Sequence, residues 1–116
     1  MLIDIPTRLA NIAFPLRCIT AKEATQEISS NHGLLIDVRE PAEATSSPVP
    51  AAINIPRGVL EMKVLEKCKD AKFPIYIHCA SGIRAKLAAE QLMSMGYENI
   101  SVVTCSISDI NVAAEA

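Results

Sequence analysis

The sequence predicts one α/β domain built on a central, mostly parallel sheet with helices on both faces. Short apolar runs bounded by turn residues alternate along the chain with stretches of helical spacing. That alternation marks a parallel sheet covered on both sides. The chain has 116 residues, half of them hydrophobic, which suits one domain of ordinary size. Aromatic residues are only 3% of the chain, so Leu, Ile, Val and Ala must fill the core.

Each element follows in order. Residues 1–17 read as an N-terminal extension, an apolar arm packing on its own domain, in which Pro6 and Pro15 forbid a long helix. The domain proper is residues 18–116. "CITAKEATQEISSN" opens a helix: Thr20 caps it, Glu23 stands at capping-box spacing, and Ala24, Glu27 and Ile28 carry it to Asn31-His32-Gly33. "LLIDV" is a buried strand. "REPAEATSSPVPA" reads as a Pro/Ser/Ala loop with weak local structure. "AINIP" is a short strand stopped by Pro56. "GVLEMKVLEKC" has helical spacing at Val59, Met62 and Leu65, with Val64 and Cys68 beside them. "FPIYIHC" is a strand, and "IRAKLAAEQLMSMG" a helix with Leu87, Ala88, Leu92 and Met95 on one stripe and Gly96 as its cap. "NISVVTC" is the last strand, and "SISDINVAAEA" a weak helix or tail.

Composition narrows the function. The net charge is −2 and no Lys/Arg cluster appears, which speaks against a nucleic-acid partner. The four cysteines form no C-x-x-C pair, so no metal, dithiol motif or cofactor is indicated. No stretch is apolar enough to span a bilayer, and the N-terminus lacks the layout of a signal peptide. The expected setting is a reducing cytoplasm with free thiols and no membrane partner.

In open parallel sheets the binding crevice lies beyond the carboxyl ends of the strands. Asp37-Val38-Arg39, Cys79 and Cys105 all fall at such ends. Cys79 is followed by a tight turn and then a helix, with Gly82 permitting unusual backbone geometry. Loop amides and a helix N-terminus stabilise a thiolate there. Arg84 adds a fixed cation able to grip an oxyanion in bidentate fashion. The set suits a nucleophilic sulfur meeting a small anionic substrate. His78 lies next to Cys79, but adjacent strand residues point to opposite faces, so it reads as a core or capping histidine. Asp37 is expected to anchor loop backbone. Arg39 is expected to pair with a carboxylate at the surface, where such pairs contribute only about 0–1 kcal/mol. Cys18 and Cys68 read as apolar fillers.

"CASGIR" resembles the six-residue active-site loop of single-domain rhodaneses, sulfurtransferases whose pattern is Cys, two variable residues, Gly, one variable residue, Arg. "LLIDVREPAE", "PAAINIP" and "ITAKEA" resemble further motifs of that family in the same order, covering about residues 18–104. The resemblance implies a rhodanese-like, five-stranded sheet with the last strand beside the one that ends in Cys79. It implies that Cys79 attacks the outer sulfur of a donor such as thiosulfate, releasing sulfite and keeping a persulfide. Ala80, Ser81, Gly82, Ile83 and Arg84 would bind the substrate, with Asp37 and Arg39 in support. A thiol, which can belong to a protein, or cyanide in an assay, would then remove the sulfur. Cys105 is a candidate resolving thiol, or else a small residue in place of a family glycine, turned away from the loop.

Phosphatases sharing this architecture separate Cys and Arg by five residues, whereas four lie between Cys79 and Arg84. The shorter loop favours sulfur over phosphate. Family members that favour thiosulfate often carry basic residues after the cysteine; Ala80 and Ser81 stand here instead, which implies a poor thiosulfate donor site. Ser47-Pro48 replaces the family's Gly-His and Ala51 its Gly, and the usual C-terminal Gly-Gly and Trp are absent, implying a remodelled or loosely packed C-terminal part. The rival reading is a binding or regulatory module on the same fold.

Overall fold

The computed structural model describes residues 1–115. Five strands form one sheet in the order β1-β5-β4-β2-β3: β1 Arg17–Ile19, β2 Leu34–Asp37, β3 Ile53–Asn54, β4 Ile75–His78 and β5 Ile100–Val103. Every pairing is parallel, so the sheet is wholly rather than mostly parallel. Among the described residues the α-helices are α1 Ile5–Ala10, α2 Ala21–Asn31, α3 Pro41–Ser46, α4 Leu60–Lys67, α5 Ile83–Ser94 and α6 Ile107–Glu115. Among the described residues, no helix is long and apolar enough to cross a membrane.

The pleat divides the core between two faces. On one, Ile36, Ile75, Ile77, Ile100 and Val102 pack with Leu60 and Val64 of α4 and Ala85, Ala88, Ala89 and Leu92 of α5. On the other, Ile19, Tyr76 and Val103 pack with Ala21 and Ala24 of α2 and Ile110 of α6. The alanines of α5 let the helix lie close to β4, which is buried along its whole length at the centre of the sheet. Its carboxyl end therefore opens at the middle of the sheet's edge.

Local signals explain most boundaries. Thr20 and Glu23 close a reciprocal capping box on α2. At the other end of α2 the left-handed residue is His32, with φ 56°, and not Gly33. Gly33 instead serves close packing: a Cβ there would stand 2.7 Å from Tyr76 Cε2 and 2.9 Å from the Pro74 carbonyl oxygen. Gly96, with φ 105°, follows the end of α5 as a left-handed cap.

Helix α4 differs from its expected face. A 3₁₀ turn at Arg57–Val59 precedes it, and the buried stripe is Leu60, Val64 and Cys68, leaving Met62 and Leu65 exposed. Met95 of the expected α5 stripe is also exposed, and Ala85 and Ala89 take its place in the core. Residues 41–46, expected as loop, form α3, with Pro41 in its first turn. The C-terminal segment is a helix whose Ile110 is buried against the α2 face. Within residues 1–17, Asp4 caps the short α1, and Arg8 reaches Glu90 of α5 at 2.6 Å.

Candidate active site at the end of strand β4

Cys79 directly follows β4, and the chain turns at once into α5. Gly82 makes the turn with φ 86°, a region costly for any residue with a Cβ. The turn points amides inward: the Gly82 N–H donates to Cys79 Sγ at 3.0 Å and the Ala85 N–H at 3.3 Å. Two main-chain donors at the start of a 12-residue helix with no acidic residue in its first turn give the sulfur a positive setting. Cys79 itself is 1% exposed, whereas Ala80, Ser81 and Ile83 reach solvent. Two main-chain N–H groups thus converge on the Cys79 sulfur.

Arg84 does not stand free in the loop. Its guanidinium makes a bidentate pair with Glu43 of α3, at 2.6 and 2.9 Å. That pairing, helped by the Glu40 N–H donating to Glu43 at 3.1 Å, holds the Glu43 carboxyl at about 2. Nothing in the sequence links Glu43 to Arg84, 41 residues away. The Glu40-Pro41-x-Glu43 spacing, inside the segment expected as loop, is compatible with a helix start but names no partner.

Asp37 and Arg39 form a buried pair rather than the expected surface one, each side chain only 3% exposed. Arg39 Nη2 lies 2.8 Å from Asp37 Oδ2, and Asp37 Oδ1 also accepts the Arg39 N–H at 3.0 Å. The same guanidinium donates to the carbonyls of Glu43 and Ser47, at 3.3 and 2.7 Å. Arg39 thus ties β2 to the end of α3. Asn54, also missed, donates to the carbonyls of Asp37 and Arg39 at 3.0 and 2.9 Å.

A groove of about 460 Å3 runs beside the loop, bordered by Arg39, Ala42, Glu43, Ser46, Ser47, Ala80 and Ile107. His78 lies on the sheet face opposite Cys79, paired in register with Asp37 and fully buried. No protein group hydrogen-bonds either ring nitrogen in ordinary geometry. Burial pushes its pKa below the usual histidine value, with the nearby Asp37 opposing.

Cys105 follows β5, next to β4 as expected, but its sulfur belongs to the other face. Its Sγ accepts the Ala21 N–H at 3.1 Å and borders a separate groove of about 620 Å3 between α2 and α6. Cys79 packs with Ile77 and Ala85 on the α5 side. The fold therefore gathers Cys79, the 80–84 loop, Arg84 and the Asp37–Arg39 pair at one edge, and it turns Cys105 away from them.

Comparison with known proteins agrees with this geometry. Residues 20–113 match the family model described as the Rhodanese-like domain. The chain is 38% identical over 87 residues to the yeast protein named thiosulfate sulfurtransferase RDL2, mitochondrial, from Saccharomyces cerevisiae, covering 66% of this chain and 58% of that one. It is 36% identical over 67 residues to a sulfurtransferase of Allochromatium vinosum, covering 58% of this chain and 61% of that one. The chain thus spans less than two thirds of the length of these relatives. The crystal structure of yeast RDL2, a single-domain sulfurtransferase, superposes with a TM-score of 0.66 at 28% identity, covering 86% of this chain and 92% of that one. With a matching family model over most of its length, an all-parallel five-stranded sheet and a cysteine loop opening at its centre, this chain belongs to the rhodanese-like domain family.

Proposed function

We propose that the protein is a sulfurtransferase that carries a sulfane sulfur on Cys79. The single observation carrying this reading is the pair of loop amides, from Gly82 and Ala85, aimed at the Cys79 sulfur. In the first step the Cys79 thiolate attacks the outer sulfur of a donor. A new S–S bond forms, the donor's own bond to that sulfur breaks, and the leaving group departs with the bonding pair: sulfite from thiosulfate, a thiolate from a persulfide. In the second step an external thiolate or cyanide attacks the terminal sulfur and releases Cys79.

The amide cradle offers two N–H donors to the sulfur that attacks the donor. The groove by Ala80 supplies a route for donor and acceptor. Asp37 and Arg39 act at a distance, holding α3 against the loop. The acceptor is an outside thiol, since Cys105 faces away. A compartment that keeps thiols reduced, such as the cytoplasm, suits this chemistry, and the yeast relative is named as mitochondrial.

The test is sulfur transfer from thiosulfate to cyanide by wild type and Cys79→Ser. Wild type turns over and the variant does not. Activity surviving in Cys79→Ser rejects the mechanism, and a complete lack of turnover with every donor favours the binding-module reading.

A further inference from the structure

Two guanidiniums border the Cys79 loop and its groove, and each is already held by a carboxylate. Asp37 engages Arg39 through Nε and Nη2. Glu43 engages Arg84 through both terminal nitrogens. No lysine borders the groove, and Ala80 and Ser81 add no charge. Glu43 is fixed by its own helix, because the same Oε1 that faces Arg84 accepts the Glu40 N–H. Its depressed pKa, about 2, keeps it ionised at any working pH. A dianion entering here meets an Arg84 whose strongest hydrogen-bonding face is taken, and a carboxylate beside it.

We propose that Glu43 sets the donor class of the Cys79 loop: by occupying Arg84 it disfavours dianionic thiosulfate and selects the hydropersulfide of a thiol, R–S–SH. This rests on the sulfur-transfer reading given above. The step balances without a further reagent. The Cys79 thiolate attacks the outer sulfur of R–S–SH and the donor S–S bond breaks. RS⁻ leaves with the electron pair, and the proton remains on the sulfur now attached to Cys79. Hydropersulfide chemistry leaves no dianion to be matched by Arg84, so the Glu43–Arg84 pair stays intact through the step and goes on supporting the position of α3.

The experiment compares wild type with Glu43→Gln, which keeps an oxygen for the Glu40 N–H while removing the charge. The initial rate of Cys79 persulfidation is read by intact mass with dianionic thiosulfate and with cysteine hydropersulfide, which carries at most one net negative charge. Freeing Arg84 is expected to raise the thiosulfate rate about tenfold or more at low salt, the size of one charge-assisted hydrogen bond. The hydropersulfide rate stays within about threefold, and added salt shrinks the gap between variants. Glu43→Ala repeats the comparison without the amide. Alkylation of Cys79 by anionic iodoacetate relative to neutral iodoacetamide reads the same potential without sulfur chemistry, and that ratio rises in both variants. Equal changes for both donors, or an unchanged ratio, overturn the assignment and make Glu43 a structural residue only. If wild-type Cys79 takes sulfur from neither donor, the sulfur-transfer reading fails and the donor assignment falls with it. If it takes sulfur from both and Glu43→Gln alters no preference, only the donor assignment falls.

Discussion

Replacing Asp37 with alanine removes the counter-charge from a guanidinium that is only 3% exposed. Four hydrogen bonds disappear, three from the Arg39 side chain and one from its backbone N–H. Arg39 keeps only the carbonyls of Glu43 and Ser47, which offer partial charges against a full one. Breaking a buried pair from one side costs about 3–5 kcal/mol, because the remaining charge stays desolvated. For a domain of this size that is a fall in Tm of roughly 10–20 °C. Urea denaturation followed by circular dichroism measures it directly, as a lower midpoint with an unchanged slope. The double variant Asp37→Leu, Arg39→Met tests the cause, since removing both charges together should cost less than Asp37→Ala alone. A loss below about 1 kcal/mol for Asp37→Ala, the size of an exposed pair, would refute the buried pair as the brace of β2 and α3.

Other expectations follow from the same geometry. Gly82→Ala meets no steric obstacle, since nothing lies within 4 Å of the added Cβ, so its cost comes from the positive φ alone, about 1–3 kcal/mol by thermal melting; a negligible change would deny the left-handed turn. Arg84→Ala leaves Glu43 unbalanced by the loop and should slow persulfidation by thiosulfate at least about tenfold more than by a hydropersulfide; an equal loss would deny Arg84 an electrostatic role. The carboxyls of Glu27 and Glu43 are both held at about 2 against an ordinary 4.5, the first by Arg17 and Tyr76 and the second by Arg84. The unfolded chain therefore takes up protons first as pH falls from 4.5 toward 2, and stability declines across that window; a flat profile there would contradict the pairs. His78 is depressed from 6.5 by burial, so stability should begin to fall below that pH, and His78→Leu should remove this part of the slope at little cost in stability at neutral pH.

The longer elements were legible in the sequence because their signals are local. The capping box at Thr20 and Glu23, the apolar runs of β2, β4 and β5, and Gly96 after α5 each act through neighbouring residues. Strand β1 has no local signal: three residues with an exposed Arg17 and Cys18 carry no periodicity, and only pairing with β5 makes them a strand. Helix α3 has little signal of its own, since six residues with Pro, Ala and Ser rarely hold a helix alone; Arg39, from outside it, binds carbonyls at its end. The α4 face is not fixed by composition, because Met62 and Leu65 are as apolar as Leu60 and Val64; the structure buries the second pair behind a 3₁₀ turn. At the site, the Cys79 loop was visible as a strand, a cysteine, a glycine and an arginine in order. The engagement of Arg84 by Glu43 spans 41 residues and had no local trace.

The most direct measurement of the central claim is the intact mass of the protein after brief mixing with a sulfane-sulfur donor, thiosulfate and cysteine hydropersulfide in parallel. The wild type should gain the mass of one sulfur atom and lose it on adding a thiol, and Cys79→Ser should gain nothing. No gain with either donor, or a gain that persists in Cys79→Ser, would contradict Cys79 as the sulfur carrier.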